Sequence, residues 1–116
     1  MTQEYVGVKQ VTAWPQEKDG KEGYAVKYAD GYTSWSPKAV FEEAYLPLGH
    51  ISHMPPHQQR VIGEKAIVRN WRDKLEAFSE TELFKSLPAA EQARLSAQFA
   101  AMVEYTVILA QRIEAF

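Results

Sequence analysis

The spacing of apolar positions changes character midway along the chain. Up to about position 45 they alternate or cluster as β-branched and aromatic residues; beyond position 57 they recur at intervals of three and four. Tyr5 to Trp14 (YVGVKQVTAW) is the first stretch of strand formers, and predicts a strand with Val6 and Val8 on one face. Pro15 ends it, and Gln16 to Gly23 reads as a charged loop. Tyr24, Val26 and Tyr28 then alternate at period two, as one face of a second strand requires. Asp30-Gly31 is a hairpin signal, because glycine adopts positive φ without a Cβ clash, and Tyr32 to Trp35 reads as the returning strand. Ser36 suits a helix N-cap and Pro37 the first helical position, so a short helix follows with Val40, Phe41, Ala44 and Tyr45 on its apolar face.

Leu46 to Pro56 holds three prolines and reads as a hinge. From His57 to Phe78, Val61, Val68 and Leu75 recur every seven residues, with Trp71 and Phe78 three places after the last two. That stripe spans roughly 33 Å of helix at 1.5 Å per residue. Gly63 inside it costs about 1 kcal/mol against alanine, and is either tolerated or allows close approach of another chain. Ser79 and Glu82 have capping-box spacing and start a short turn carrying Leu83, Phe84 and Leu87. After Pro88 comes the clearest periodicity in the chain: Leu95, Phe99, Met102, Thr106, Leu109, Ile113 and Phe116 are separated by 4, 3, 4, 3, 4 and 3.

The fold expected is α+β: a small antiparallel sheet with a short helix, followed by a long antiparallel helical hairpin. The divisions fall at 1–46 for the sheet module, 47–56 for a linker and 57–116 for the hairpin. One hairpin alone leaves much apolar surface uncovered, which favours self-association through the helices over packing on the sheet alone.

Composition sharpens this division. Of 116 residues, 46% are hydrophobic and 24% charged, with a net charge of −2, values of a globular protein. Residues 1–56 hold five lysines and no arginine, whereas Arg60, Arg69, Arg72, Arg94 and Arg112 all lie in the second half. No apolar run approaches the 18 residues of a membrane span, and Met1 to Glu4 lacks a secretory n-region. The absence of cysteine excludes disulfides, thiolate metal sites and a thiol nucleophile, and fits a cytoplasmic protein. Without a long basic stripe, binding of nucleic-acid polymers is disfavoured.

Catalytic patterns are missing. The six glycines form no phosphate loop, and no serine sits in a nucleophile elbow. His50, His53 and His57 cluster at the hinge, but their spacing matches no zinc motif, and exposed linker residues explain them more simply. No metal, no cofactor and no enzyme activity are therefore expected. Anion binding has more support: Arg60, Lys65, Arg69 and Arg72 lie along one helix, several of them near one face, and Arg112 lies on the antiparallel one. Guanidinium groups fork onto phosphate oxygens, and Trp71, Phe84 or Tyr105 are candidates to stack on a base. The competing reading is solubilising charge, since Arg69/Asp73 and Arg72/Glu76 have i,i+4 pairing distance.

Several segments also carry a family likeness. Val6 to Lys9, Glu22 to Tyr24, Asp30 to Lys38 and Val40 to Tyr45 resemble a module common in phage and prophage proteins. Gln59 to Lys65, Lys74-Leu75, Phe78, Phe84, Leu87, Gln98, Met102, Tyr105, Leu109 and Arg112-Ile113 resemble the hairpin shared by the first-described Thoeris anti-defence proteins and the second anti-CBASS protein. Sheet followed by hairpin is similar to the Thoeris anti-defence order.

The resemblance implies a phage sponge acting in the cytoplasm of the infected bacterial cell. Such a protein binds cyclic nucleotide immune signals, glycocyclic ADP-ribose and in some members cyclic oligonucleotides, without cleaving them. It implies a homo-oligomer, a hexamer built from dimers, with no membrane and no nucleic-acid polymer as partner. On this resemblance the ligand site falls on Arg60, Lys65, Arg69 and Arg112, with Phe84 and Tyr105 as stacking residues. The alternative is a non-enzymatic phage module that acts on a host protein by direct interaction.

Overall fold

Three short strands open the fold, and their register explains their length. In the computed structural model, which describes all 116 residues, they are β1 (Thr12–Pro15), β2 (Gly23–Lys27) and β3 (Thr33–Pro37). They form an antiparallel meander in the order β1-β2-β3, with Ala13 opposite Val26 and Val26 opposite Ser34. The chain divides into two compact units, Met1–Leu46 and Pro47–Phe116.

The first strand is shorter than its sequence suggests. Tyr5 to Val11 has strand-forming side chains but belongs to no strand, and Val6 and Val8 are exposed. The reason lies in β2, whose ladder with β1 ends at Lys27 opposite Thr12. Beyond it the chain turns: the Tyr28 N–H donates to Tyr32 O at 2.9 Å, and the Tyr32 N–H donates to Asp30 Oδ1 at 2.9 Å. The β1–β2 ladder therefore does not reach back to Tyr5, Val6 and Val8.

The loop read as merely charged contains its own tight turn. Asp19 and Gly20 both have positive φ, 52° and 77°, and Lys18 and Lys21 exchange backbone hydrogen bonds of 2.9 and 3.0 Å. Two successive positive-φ residues match the strand twist, which is why Asp-Gly suits this position.

Each face of the sheet uses aromatic residues. On one, Ala25 pairs with both Trp14 and Trp35 and is buried between them. Trp35 lies directly over Gly23, where a Cβ would collide with the indole ring and with Ser36 O, and its Nε1 donates to Gln16 O at 2.7 Å. On the other face, helix α1 (Lys38–Ala44) stacks Phe41 on Tyr24 at 4.3 Å between ring centroids, and Tyr45 on Phe41 at 4.9 Å. The Tyr24 hydroxyl donates to Glu42 Oε2 at 2.7 Å. That hydrogen bond, followed by burial, raises the Tyr24 pKa above the ordinary phenol value. Val40, placed on the apolar face by periodicity, is exposed. Ser36 does not cap α1. The ladder holds it in β3 opposite Tyr24, and Pro37 is the N-cap residue, with no side-chain cap.

The second unit is a hairpin of α2 (Pro56–Ser79) and α4 (Ala89–Glu114), joined by the single turn α3 (Glu82–Ser86). Residues before α2 pack onto it: Gln59 Nε2 donates to Met54 O at 2.7 Å, and Leu48 lies over Gly63. Leu48 leaves ordinary van der Waals space at Gly63, so the glycine sits beneath this chain's own leucine. The connection differs from the capping box expected. Ser79 stays in α2 and donates to Glu76 O, while the Thr81 hydroxyl caps α3 by accepting from the Phe84 N–H at 3.2 Å. No helix is long and apolar enough to cross a membrane.

Candidate functional site

The hairpin is held along one seam. Val61, Val68, Thr106 and Leu109 are buried, and Leu75, Leu95, Phe99, Met102 and Ile113 are half-buried. The heptad of α4 thus packs against α2 of the same chain. Midway the seam turns polar: Arg72 Nη1 donates to Thr106 Oγ1 at 3.1 Å, and that hydroxyl donates to Val103 O at 2.9 Å. Arg72 also pairs with Asp73 at 3.1 Å. It takes the inward place that periodicity assigned to Trp71. Trp71, placed in the stripe by sequence, is instead 55% exposed. The aliphatic stem of arginine lets it cover apolar surface while its head reaches a partner.

Because α2 and α4 run antiparallel, the residue preceding each inward position emerges on the same side of the hairpin. Ile67 and Trp71 precede Val68 and Arg72, and Tyr105 and Ile108 precede Thr106 and Leu109. All four are exposed, so the middle of this flank is apolar and unpartnered within the hairpin, while Arg60 and Arg112, which precede Val61 and Ile113, lie on the same side at its open end. A broad depression of about 500 Å³ lies on it, lined by Ala100, Ala101, Glu104, Tyr105 and Ile108. The sequence singled out Trp71 and Tyr105 but not Ile67 and Ile108, although their helical spacing of four and three from those two residues was visible.

The cations divide into engaged and unengaged groups. Arg72 is held by Thr106 and Asp73, Arg94 by Glu91 at 2.8 Å, and Lys85 by Glu82 at 3.3 Å. Lys74 and the four predicted cations, Arg60, Lys65, Arg69 and Arg112, enter none of the four salt bridges. Asp73, whose spacing suits Arg69, pairs with Arg72 instead.

These four do not converge on one spot. Arg60 and Arg69 are nine residues apart, about two and a half turns at 3.6 residues per turn, and so project from opposite sides of α2. Lys65 and Arg69, four apart, share a side. Arg60 lies in the second turn of α2 and Arg112 in the last turn of α4, which places both at the open end of the hairpin.

Phe84 lies at the closed end. It packs edge-on against Phe78 at 6.0 Å and lines a cavity of about 120 Å³ with Leu75, Ser79, Leu95, Ser96 and Phe99. Such a cavity is smaller than the 300–1,000 Å³ usual for small-molecule pockets. Nineteen residues separate Arg60 from Ser79, or about 28 Å of helix. One chain therefore does not bring Phe84 and the open-end arginines to a single small ligand. Tyr105 sits in the apolar depression with Glu104 and no cation. No three His, Asp or Glu side chains converge in a way that could hold a metal ion.

No curated protein and no solved structure matches the chain. The Sequestin family model matches residues 55–115, from the N-cap of α2 to the C-cap of α4. The family name denotes sequestering, and the matched region is the whole helical hairpin, which carries Arg60, Lys65, Arg69 and Arg112 outside its salt bridges. With more than half of its length covered by that match, the chain belongs to the Sequestin family.

Proposed function

We propose that this protein is a phage anti-defence sponge that binds cyclic nucleotide immune signals, glycocyclic ADP-ribose or cyclic oligonucleotides, and holds them without cleavage. The observation that carries this reading is the set of Arg60, Lys65, Arg69 and Arg112, cations without acid partners on a Sequestin hairpin. Arginine without a carboxylate partner retains its donors for phosphate oxygens. Binding alone removes a signal when the protein is in excess over its dissociation constant.

The separation of Phe84 from the open-end arginines supports a site shared between copies. If two hairpins associate head to tail, the closed end of one meets the open end of the other. The flank of Ile67, Trp71, Tyr105 and Ile108 is the surface for such association: it is apolar and exposed, and Ala100 and Ala101 beside it allow close helix approach. The cytoplasm of an infected bacterium is where such a complex acts.

Calorimetry with glycocyclic ADP-ribose and a panel of cyclic oligonucleotides tests the proposal, combined with recovery of the ligand after heat denaturation. Saturable binding with intact ligand recovered is expected. Cleaved ligand would make the protein an enzyme. No binding to any member of the panel, together with a co-purifying host protein, would favour direct interaction with that host protein. Arg112→Ala should weaken binding at least tenfold, whereas Arg94→Ala, whose side chain is held by Glu91, should leave it unchanged.

A further inference from the structure

The segment before β1 has strand chemistry and no strand partner. Tyr5, Val6 and Val8 are 84%, 86% and 91% exposed, far more than such residues show in a folded sheet. The Lys9 ammonium lies 4.3 Å from the centre of the Tyr28 ring, so the segment is anchored to the sheet at its downstream end. It runs from there directly into β1. Residues 5–9 belong to no strand of the chain, because the β1–β2 ladder ends at Thr12 opposite Lys27 and β2 turns away there.

We infer that residues 5–9 form an antiparallel strand pair with the same residues of a second copy, extending β1 into a sheet shared by two chains. The sequence is self-complementary about Gly7. In a two-fold antiparallel pair centred there, Val6 faces Val8 of the second copy, and Val8 faces its Val6. These valines gather on one face, since alternate residues share a face. On the other face Tyr5 lies opposite Lys9 of the second copy, an aromatic ring beside an alkyl stem. No like charges face each other. Lys9 is also the only charged residue between Tyr5 and Trp14, so the segment lacks the charges and prolines with which exposed strands usually block pairing.

Five residue pairs bury less than the roughly 1,200 Å² of a stable interface. The pairing therefore rests on the self-association assigned above to the hairpin flank: it is a second, isologous contact that joins the assemblies built on that flank to one another.

The chain has no cysteine, so an introduced one reports a single position. A Cβ at Gly7 meets nothing within 4 Å, and directly opposed Cα atoms in an antiparallel pair lie within disulfide reach. Under mild oxidation Gly7→Cys should link chains in pairs at least tenfold faster than Thr2→Cys, which lies off the two-fold axis. In solution, Val6→Asp/Val8→Asp should have half the mass of the wild-type assembly or less, and should still bind nucleotide where the wild type does. Equal linking rates for the two cysteine variants, or an unchanged mass for the aspartate variant, overturns the pairing. Trp71→Asp/Ile108→Asp tests the flank separately, and nucleotide calorimetry tests the sponge reading, so the three failures are distinguishable.

Discussion

Arg72 and Thr106, 34 positions apart in the chain, meet at 3.1 Å across the hairpin seam. The guanidinium donates, and the buried threonine hydroxyl accepts while donating to Val103 O. A polar pair within an otherwise apolar seam penalises slippage, because a shifted register would leave the threonine hydroxyl facing apolar side chains. Thr106→Val keeps the shape and removes both hydrogen bonds. It should cost the hairpin about 1 kcal/mol, read as a lower midpoint in urea denaturation.

Leu109 is the most buried large side chain of the hairpin, at 1% exposure. Leu109→Ala should destabilise by about 2–5 kcal/mol through lost transfer energy and a residual cavity. Val107, two positions away, is exposed, and Val107→Ala should change the same midpoint by no more than about 0.5 kcal/mol.

Gly23 has no room for a side chain, because Trp35 and Ser36 O occupy the space where a Cβ would lie. Gly23→Ala should displace the indole and cost the first unit about 1–3 kcal/mol. The check is loss of the near-ultraviolet tryptophan signal while the far-ultraviolet helical signal, which comes mainly from α2 and α4, is retained.

Tyr24 donates its hydroxyl hydrogen to Glu42, and its pKa is raised by that bond and by burial. The folded state therefore favours the neutral phenol. Its contribution to stability is full below the ordinary phenol value of about 10, and is lost as pH rises through the higher folded value. Stability of the first unit should fall above about pH 10, and Tyr24→Phe should remove this tyrosine's part of that dependence. Phenolate absorbance followed during alkaline titration reads it directly.

Much of the hairpin was legible because its period repeats over many turns. Val61, Val68 and Leu75, with the heptad from Leu95 onward, place the seam without any tertiary information. The choice between Trp71 and Arg72 was not legible, since positions three and four after Val68 are both compatible with a heptad. The caps were misplaced for a related reason. Ser36 and Ser79 have capping chemistry, but a β-ladder claimed one and the preceding helix the other. Of the candidate site, the residue types were legible and their convergence was not. Arg60 and Arg69 share a helix, yet a spacing of nine sets them on opposite sides. Phe84 falls between Arg60 and Arg112 in sequence, yet it lies at the other end of the hairpin from both.

The order of hydrophobic and polar residues was enough to establish an arginine-free sheet module followed by an antiparallel hairpin, because helix and strand periods are local properties of the chain. Where β1 begins, which helix flank stays uncovered and which cations lack a partner depended on three-dimensional packing. Tyr5 to Lys9 has the side chains of a strand, but a strand exists only where a neighbouring backbone offers hydrogen bonds, and β2 turns away at Lys27. Arg72 and Arg112 look alike in sequence, but Thr106 and Asp73 hold the first, while no salt bridge holds the second.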